Sequence, residues 1–242
     1  MLISLVAAVP ALADDAACAT AWGYDGTKGP DFWGQLASEW QLCDSGKAQS
    51  PIRLQGMERA ALPEVQLHYP PSLPYTLQHT SHELKVYPLL DARITYGGNP
   101  AELLQFHVHT PAEHRFPDQP QAPAEIHFVH RQSNGKLLVL GVLVVEGAAN
   151  AQLQKMIEAR PPSVCQSNKP AEPLALSELL PSPNHYATYE GSLTTPPCDQ
   201  GVTWVVLLRP IEATRAQLDA LKVVANDRGV QPLAGRKVRW RG

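Results

Sequence analysis

Long apolar runs are almost absent from this 242-residue chain. The one that exists, Leu2 to Ala13, falls short of the roughly 20 residues a bilayer-crossing helix needs, so no membrane span is expected. An excess of positive charge is missing too. Against 23 Asp and Glu stand only 20 Lys and Arg, a net charge of -3, which gives no electrostatic grip on nucleic acid or an anionic membrane surface. No repeat, linker or block of like charge divides the chain. Helical periodicity is confined to Ala149 to Ala159 and Thr214 to Val224, where apolar residues recur at spacings of three and four. This leaves a single domain long enough for a sizeable core.

Turn-forming residues are abundant instead: 23 prolines and 16 glycines break the sequence into short segments. Apolar or alternating runs at Glu83 to Leu89, Glu102 to His109, Glu125 to His130, Lys136 to Val145 and Val202 to Leu208 predict strands. The proline-rich stretch Phe116 to Ala124 reads as a loop between two of them. The expected fold is mainly β, one domain on a large twisted, mostly antiparallel sheet with short peripheral helices.

Two of these strands carry an unusual histidine pattern, His107-Val-His109 and Glu125-Ile-His127. Side chains at i and i+2 of a strand share a face roughly 6 to 7 Å apart along the backbone, so His107 and His109 can converge on one ion between them. Three imidazoles with an open fourth position describe a catalytic zinc site, because structural sites are usually closed by four protein ligands and favour cysteine. Gln105 and Glu125 each lie two residues before a histidine on the same face, where each can accept the spare ring N-H. A second distinctive segment is Gly191-Ser192-Leu193-Thr194-Thr195-Pro196-Pro197-Cys198. Its two prolines deny it to a helix or a central strand, which makes it a loop able to hold a hydroxyl rigidly.

The run from Gln105 to Glu113, then Glu125 to Val129, then Gly191 to Pro197 followed by Trp204, resembles an α-class carbonic anhydrase. The similarity extends from Trp22-Gly23-Tyr24 through Gln49-Ser50-Pro51 to Val230-Gln231-Pro232-Leu233. The resemblance implies a zinc enzyme that hydrates carbon dioxide to bicarbonate and a proton. It makes His107, His109 and His127 the zinc ligands, with Gln105 and Glu125 as partners of His107 and His127. Thr194 resembles a gatekeeper whose hydroxyl accepts from the reacting hydroxide and donates to an ionised Glu113. Val129, Val139, Leu193, Thr195 and Trp204 would line the pocket for carbon dioxide. His82, in Thr80-Ser81-His82-Glu83-Leu84-Lys85-Val86, aligns with the histidine that carries the proton out. Its ordinary pKa of about 6.5 suits a group that takes and releases a proton near neutrality. Thr80 and Lys85 depart from the family there, standing where amides are common. Lys85 would lower the pKa of His82 and Glu83 would raise it.

Other readings compete. His68, His79, His130 and His185 read as structural or surface histidines, and His114, beside Glu113, as buried scaffold. His107-x-His109-x-x-x-Glu113 also matches the core of a cupin signature, in which Glu113 would be a fourth ligand and iron or manganese as suitable as zinc. Ala101 and Pro120 occupy the spacings where cupins want glycine, and the Thr-Thr-Pro-Pro loop has no place in that pattern. A non-catalytic, carbonic-anhydrase-like binding protein is a further alternative, but such relatives typically lose a zinc histidine and this chain keeps all three.

The apolar run ending at Ala11-Leu12-Ala13 reads as a signal peptide of residues 1-13, cleaved before Asp14 and followed by a catalytic domain over 14-242. It lacks a basic leading segment, which points to a truncated start. Export makes the expected location periplasmic or secreted, where disulfides persist. Four cysteines allow three pairings. Resemblance to exported bacterial members implies Cys43 with Cys198, while Cys18 and Cys165 are left to pair, stay free or link two chains. The expected partner is the small-molecule substrate pair carbon dioxide and bicarbonate, with a homodimer left open.

Overall fold

The computed structural model describes residues 21-242, so the proposed signal peptide and Cys18 lie outside the described residues. Twelve strands form one sheet: β1 (Glu58–Arg59), β2 (Val65–His68), β3 (Tyr75–His79), β4 (Leu84–Pro88), β5 (Arg93–Tyr96), β6 (Asn99–His109), β7 (Ala124–Gln132), β8 (Leu137–Glu146), β9 (Gln166–Asn168), β10 (Tyr186–Ser192), β11 (Gln200–Ala213) and β12 (Arg239–Arg241). The main order is β1-β12-β10-β11-β8-β7-β6-β4-β3-β9, with β5 also on β6 and β2 on β5. Pairing is antiparallel except between β1 and β12 and between β8 and β11. The α-helices are short and peripheral: α1 (Trp33–Leu36), α2 (Leu42–Ser45), α3 (Ala151–Glu158) and α4 (Arg215–Leu221).

All five predicted strands are present, four of them within three residues of their expected ends while β11 runs five residues past Leu208, and α3 and α4 fall inside the two helical segments. Both helices begin where their caps lie. Asn150 accepts from the N-H groups of Gln152 and Leu153, and Thr214 forms a capping box with Gln217. Two boundaries differ from expectation. Ala124 opens β7 rather than closing the loop before it, and Gly191 and Ser192 belong to β10, so the loop starts at Leu193. Gly191 explains the second. A Cβ there would collide with Ser50 Oγ, and its absence lets the strand run past Ser50 through a bulge at Gly191/Ser192 to a last pair, Ser192 with Gln200.

Strand alternation sorts the central residues onto two faces. On one, Phe106, Val108, Ile126, Phe128, Leu140, Val142, Val205 and Leu207 join the main core under α3 and α4. On the other, Val129, Val139, Trp204 and Val206 form a second cluster, and His107, His109 and His127 lie on that face. Burial on both faces is why β8 reads as a nearly continuous apolar run.

Cys43 and Cys198 form a disulfide that closes a separation of 155 residues, as the resemblance implies. No cysteine among the described residues is free, Cys165 included. No helix among the described residues is long and apolar enough to cross a membrane.

Candidate metal centre

Register assembles the histidines. Gln105, His107 and His109 share one face of β6, and the antiparallel pairing sets His127 of β7 directly opposite His107 and Glu125 opposite His109. The ring centroids of His107, His109 and His127 are 4.9, 5.4 and 4.5 Å apart pairwise. One nitrogen from each lies within 4.8 Å of the others, and all three residues are buried.

Two outer nitrogens are hydrogen-bonded and the third faces a carboxylate, which identifies the inner ones. His107 Nδ1 bonds Gln105 Oε1 at 2.8 Å. His109 Nδ1 donates to the carbonyl of Asn226 at 2.7 Å, an acceptor the sequence reasoning missed. His127 Nε2 lies 3.0 Å from Glu125 Oε1, off the line of a hydrogen bond, so that buried nitrogen has no hydrogen-bond partner. His107 Nε2, His109 Nε2 and His127 Nδ1 therefore face inward. The two Nε2 atoms stand 3.1 Å apart. With both Nδ1 protons spent on outer acceptors, two lone pairs meet, and only a cation between them, a proton or a metal ion, makes the approach favourable. A tetrahedral ion with one open position suits this donor set.

Electrostatics agree. Burial, reinforced by the neighbouring imidazoles, holds His107 well below its ordinary pKa, and burial lowers His127. His109 is raised because Glu113 and Glu83 outweigh the burial that would lower it. Glu125 also resists burial: His114 and His127 hold it well below the carboxylate range. A substituent on Gly141 would sit 2.8 Å from Glu125 Oε1, so that glycine makes the carboxylate's space.

Behind the triad, Glu125 Oε2 accepts the backbone N-H groups of Glu113 and His114 at 2.9 and 2.8 Å. Its Oε1 meets His114 Nδ1 at 2.7 Å, and His114 Nε2 meets Tyr189 Oη at 2.7 Å. Glu113 is fully buried, and the N-H of Arg228 donates to its Oε1 at 2.9 Å, while Oε2 has no hydrogen-bond partner. The link from Thr194 to Glu113 that the resemblance implies is therefore not formed in this structure.

The loop carrying Thr194 is anchored at its base. Ser50 N-H donates to Ser192 Oγ at 2.9 Å, Ser192 N-H returns to Ser50 Oγ at 3.0 Å, and Trp204 Nε1 donates to the Ser192 carbonyl at 2.9 Å. Arg228 joins this base to the disulfide. Its buried guanidinium donates to Gln49 Oε1 and to the carbonyls of Ser50 and Cys43, at 2.7, 2.9 and 2.7 Å. Neither Arg228 nor Asn226 stood out in the sequence, because each acts through contacts more than a hundred residues away. Their only signal was the stretch of resemblance just beyond them at Val230 to Leu233.

A cleft of about 170 Å³ opens over His107 and His127, lined also by Thr194, Thr195, Leu193, Val129, Val139 and Trp204. Every residue expected in the carbon dioxide pocket is brought together there. His82 is not among the lining side chains. Its ring stacks on Trp22 at 4.2 Å and meets Tyr24 edge-on at 5.6 Å. Burial against these rings lowers its pKa, with Lys85 adding to the drop and Glu83 and the Trp22 carbonyl opposing it. Two residues enter the cleft unforeseen: Gln105 is joined on its wall by Glu83 and Lys85. His68, His79, His130 and His185 lie outside the metal-competent groups among the described residues.

A buried three-histidine cluster beneath a cleft in a large, mostly antiparallel sheet offers the donor set of a catalytic rather than a structural metal site. The family profile for eukaryotic-type carbonic anhydrases matches residues 28–242. A carbonic anhydrase of Pectobacterium atrosepticum is 36% identical over 218 residues, covering 89% of this chain and 88% of that protein. One of Neisseria gonorrhoeae is 36% identical over 223 residues, 90% of this chain and 87% of its own. Among solved structures, the α-carbonic anhydrase of Thermovibrio ammonificans in complex with sulfanilamide superposes with a TM-score of 0.86 at 38% identity, covering 90% of this chain and 98% of that one. The chain belongs to the eukaryotic-type, or α, carbonic anhydrase family, and with it to the lyases that hydrate carbon dioxide. The cupin reading is thereby excluded.

Proposed function

We propose that this protein catalyses the zinc-dependent, reversible hydration of carbon dioxide to bicarbonate and a proton, with His107 Nε2, His109 Nε2 and His127 Nδ1 as the zinc ligands. The convergence of those three nitrogens at the base of the cleft carries the reading. Bound zinc supplies a water ionised near neutral pH, a general property of carbonic anhydrase zinc. Gln105, the Asn226 carbonyl and Glu125 hold the rings from behind, setting tautomer and aim. Val129, Val139, Leu193, Thr195 and Trp204 offer carbon dioxide, which has no charge to grip, an apolar wall.

Thr194 selects what reacts. Its hydroxyl donates to Glu113 Oε2, the oxygen left without a partner, and can then only accept at the cleft, which turns the reacting oxygen's lone pair toward carbon dioxide. The N-H of Thr194 holds an oxygen of the product. His82 takes the released proton through solvent at its imidazole and passes it to buffer.

Residues 1-13 act as the signal peptide of a chain exported to the periplasm or beyond. The Cys43–Cys198 disulfide supports export, since such bonds persist in oxidising compartments.

The test is metal content together with carbon dioxide hydration, before and after chelation and in His107→Ala and His127→Ala. Loss of stoichiometric zinc and nearly all activity in both variants, with recovery of the chelated wild type on adding zinc, is the expected result. Full activity in metal-free protein overturns the proposal.

A further inference from the structure

The cleft's two walls differ in character. Val129, Val139 and Trp204 make one apolar, while the wall nearest β4 carries a partly buried ion pair, Glu83 with Lys85. Neither residue has a part in the proposed reaction. Lys85 stands opposite His107 in the β4–β6 register, and its Nζ is 2.8 Å from Glu83 Oε1, the side chains being 22% and 9% exposed. Glu83 Oε2 lies 3.8 Å from His107 Nε2, the nitrogen that faces the metal position. Gln105, Glu125 and the Asn226 carbonyl sit behind the rings. Glu83 lines the cleft itself.

Its position is built rather than incidental. Thr80 Oγ1 accepts the N-H groups of His82 and Glu83 at 3.1 and 2.9 Å and donates to the Glu83 carbonyl at 3.0 Å, so the turn fixes Glu83 before β4 begins. Lys85 then pins one carboxylate oxygen and leaves the other turned to the histidines. Burying two charges is costly unless they pair well, and an apolar pair would fill the same wall without that cost.

Resting on the metal-site reading, we infer that Glu83, held by Lys85, is a specificity-determining residue that filters ligands for the open fourth position by charge. A carboxylate beside that position repels a ligand arriving as a bare anion. It leaves neutral carbon dioxide unopposed and can accept a hydrogen bond from a ligand that brings a proton. Bicarbonate is anionic but carries an O-H, so it is tolerated during reaction and still encouraged to leave. Lys85 keeps the carboxylate from swinging inward to become a fourth protein ligand, and its own charge partly offsets the repulsion.

Cobalt-loaded protein reports this directly, because its visible spectrum follows coordination without any turnover. Wild type, Glu83→Gln and Lys85→Met are titrated with thiocyanate, a bare anion, and with imidazole, a neutral ligand. Glu83→Gln is expected to bind thiocyanate roughly tenfold or more tighter than wild type, with imidazole affinity unchanged. Lys85→Met, which leaves Glu83 uncompensated, is expected to bind thiocyanate more weakly. Equal thiocyanate affinity in wild type and Glu83→Gln overturns the filter while leaving the metal site intact. Loss of cobalt from Glu83→Gln overturns it in favour of a direct ligand. Failure of the wild type to take up cobalt overturns the metal-site reading itself.

Discussion

The backbone N-H of Arg228 donates to Glu113 Oε1 at 2.9 Å, and this one bond decides which carboxylate oxygen is left open. Oε2 remains buried without a hydrogen-bond partner, 3.8 Å from His127 Nδ1. An acceptor in that state is costly unless something donates to it.

Glu113→Gln is therefore expected to keep zinc and lose rate. An amide can present an N-H where Oε2 stood, which lets the Thr194 hydroxyl point the wrong way. Carbon dioxide hydration should fall roughly 100-fold with zinc stoichiometry unchanged. Loss of the metal would instead make Glu113 a ligand.

His82→Ala should separate two kinetic constants. Proton release follows conversion of carbon dioxide, so kcat in weak buffer is expected to fall while kcat/KM stays nearly constant. Small imidazole-type buffers should restore the rate. An unchanged kcat in weak buffer removes His82 from the proton path, with its ring then serving only the Trp22 stack.

The disulfide predicts a redox-dependent stability. Joining residues 155 apart restricts the unfolded chain by about 4 to 5 kcal/mol on a purely entropic account. Cys43→Ser should melt lower than oxidised wild type and close to wild type once reduced. Equal melting of the variant and the oxidised wild type would contradict this.

His130 predicts an acid-side loss of stability. It is fully buried with Tyr69 Oη 2.6 Å from its Nε2, and burial drives its pKa down to about 3. The folded state keeps the ring neutral where the unfolded chain protonates it, so the contribution is complete above about pH 6.5 and declines below it. The decline continues to about pH 3. Between pH 7 and pH 5 this amounts to about 2 kcal/mol. Denaturant unfolding at both pH values, compared with His130→Gln, reads it as the difference in slope. Parallel pH profiles would assign the loss to other groups.

The central strands and the two longer helices were legible because local pattern and tertiary demand agree there. β6 and β7 alternate visibly, and α4 carries its own capping box. The short outer strands were not. β9, Gln166–Asn168, is exposed throughout, so no apolar pattern marks it, and β12 exists only because β1 and β10 lie beside it. His82 shows the same limit. Lys85 and Glu83 act on its pKa in the directions their charges imply, but the larger effect is burial, in a place where Trp22, sixty residues earlier, stacks on the ring.

By itself the sequence determined the chemistry on offer: three histidines at strand spacing, acceptors two residues before two of them, and a hydroxyl-bearing loop that prolines keep out of the sheet. Side-chain type and a period of two are local properties, readable along the chain. Tertiary structure alone decided which ring nitrogens face inward, because the Asn226 carbonyl takes the proton of His109 across 117 residues. It likewise decided that Arg228 commits one oxygen of Glu113, and that Glu83 comes within 3.8 Å of His107 Nε2. Each of these depends on the relative placement of distant backbone, and sheet register together with long-range hydrogen bonds supplies that placement.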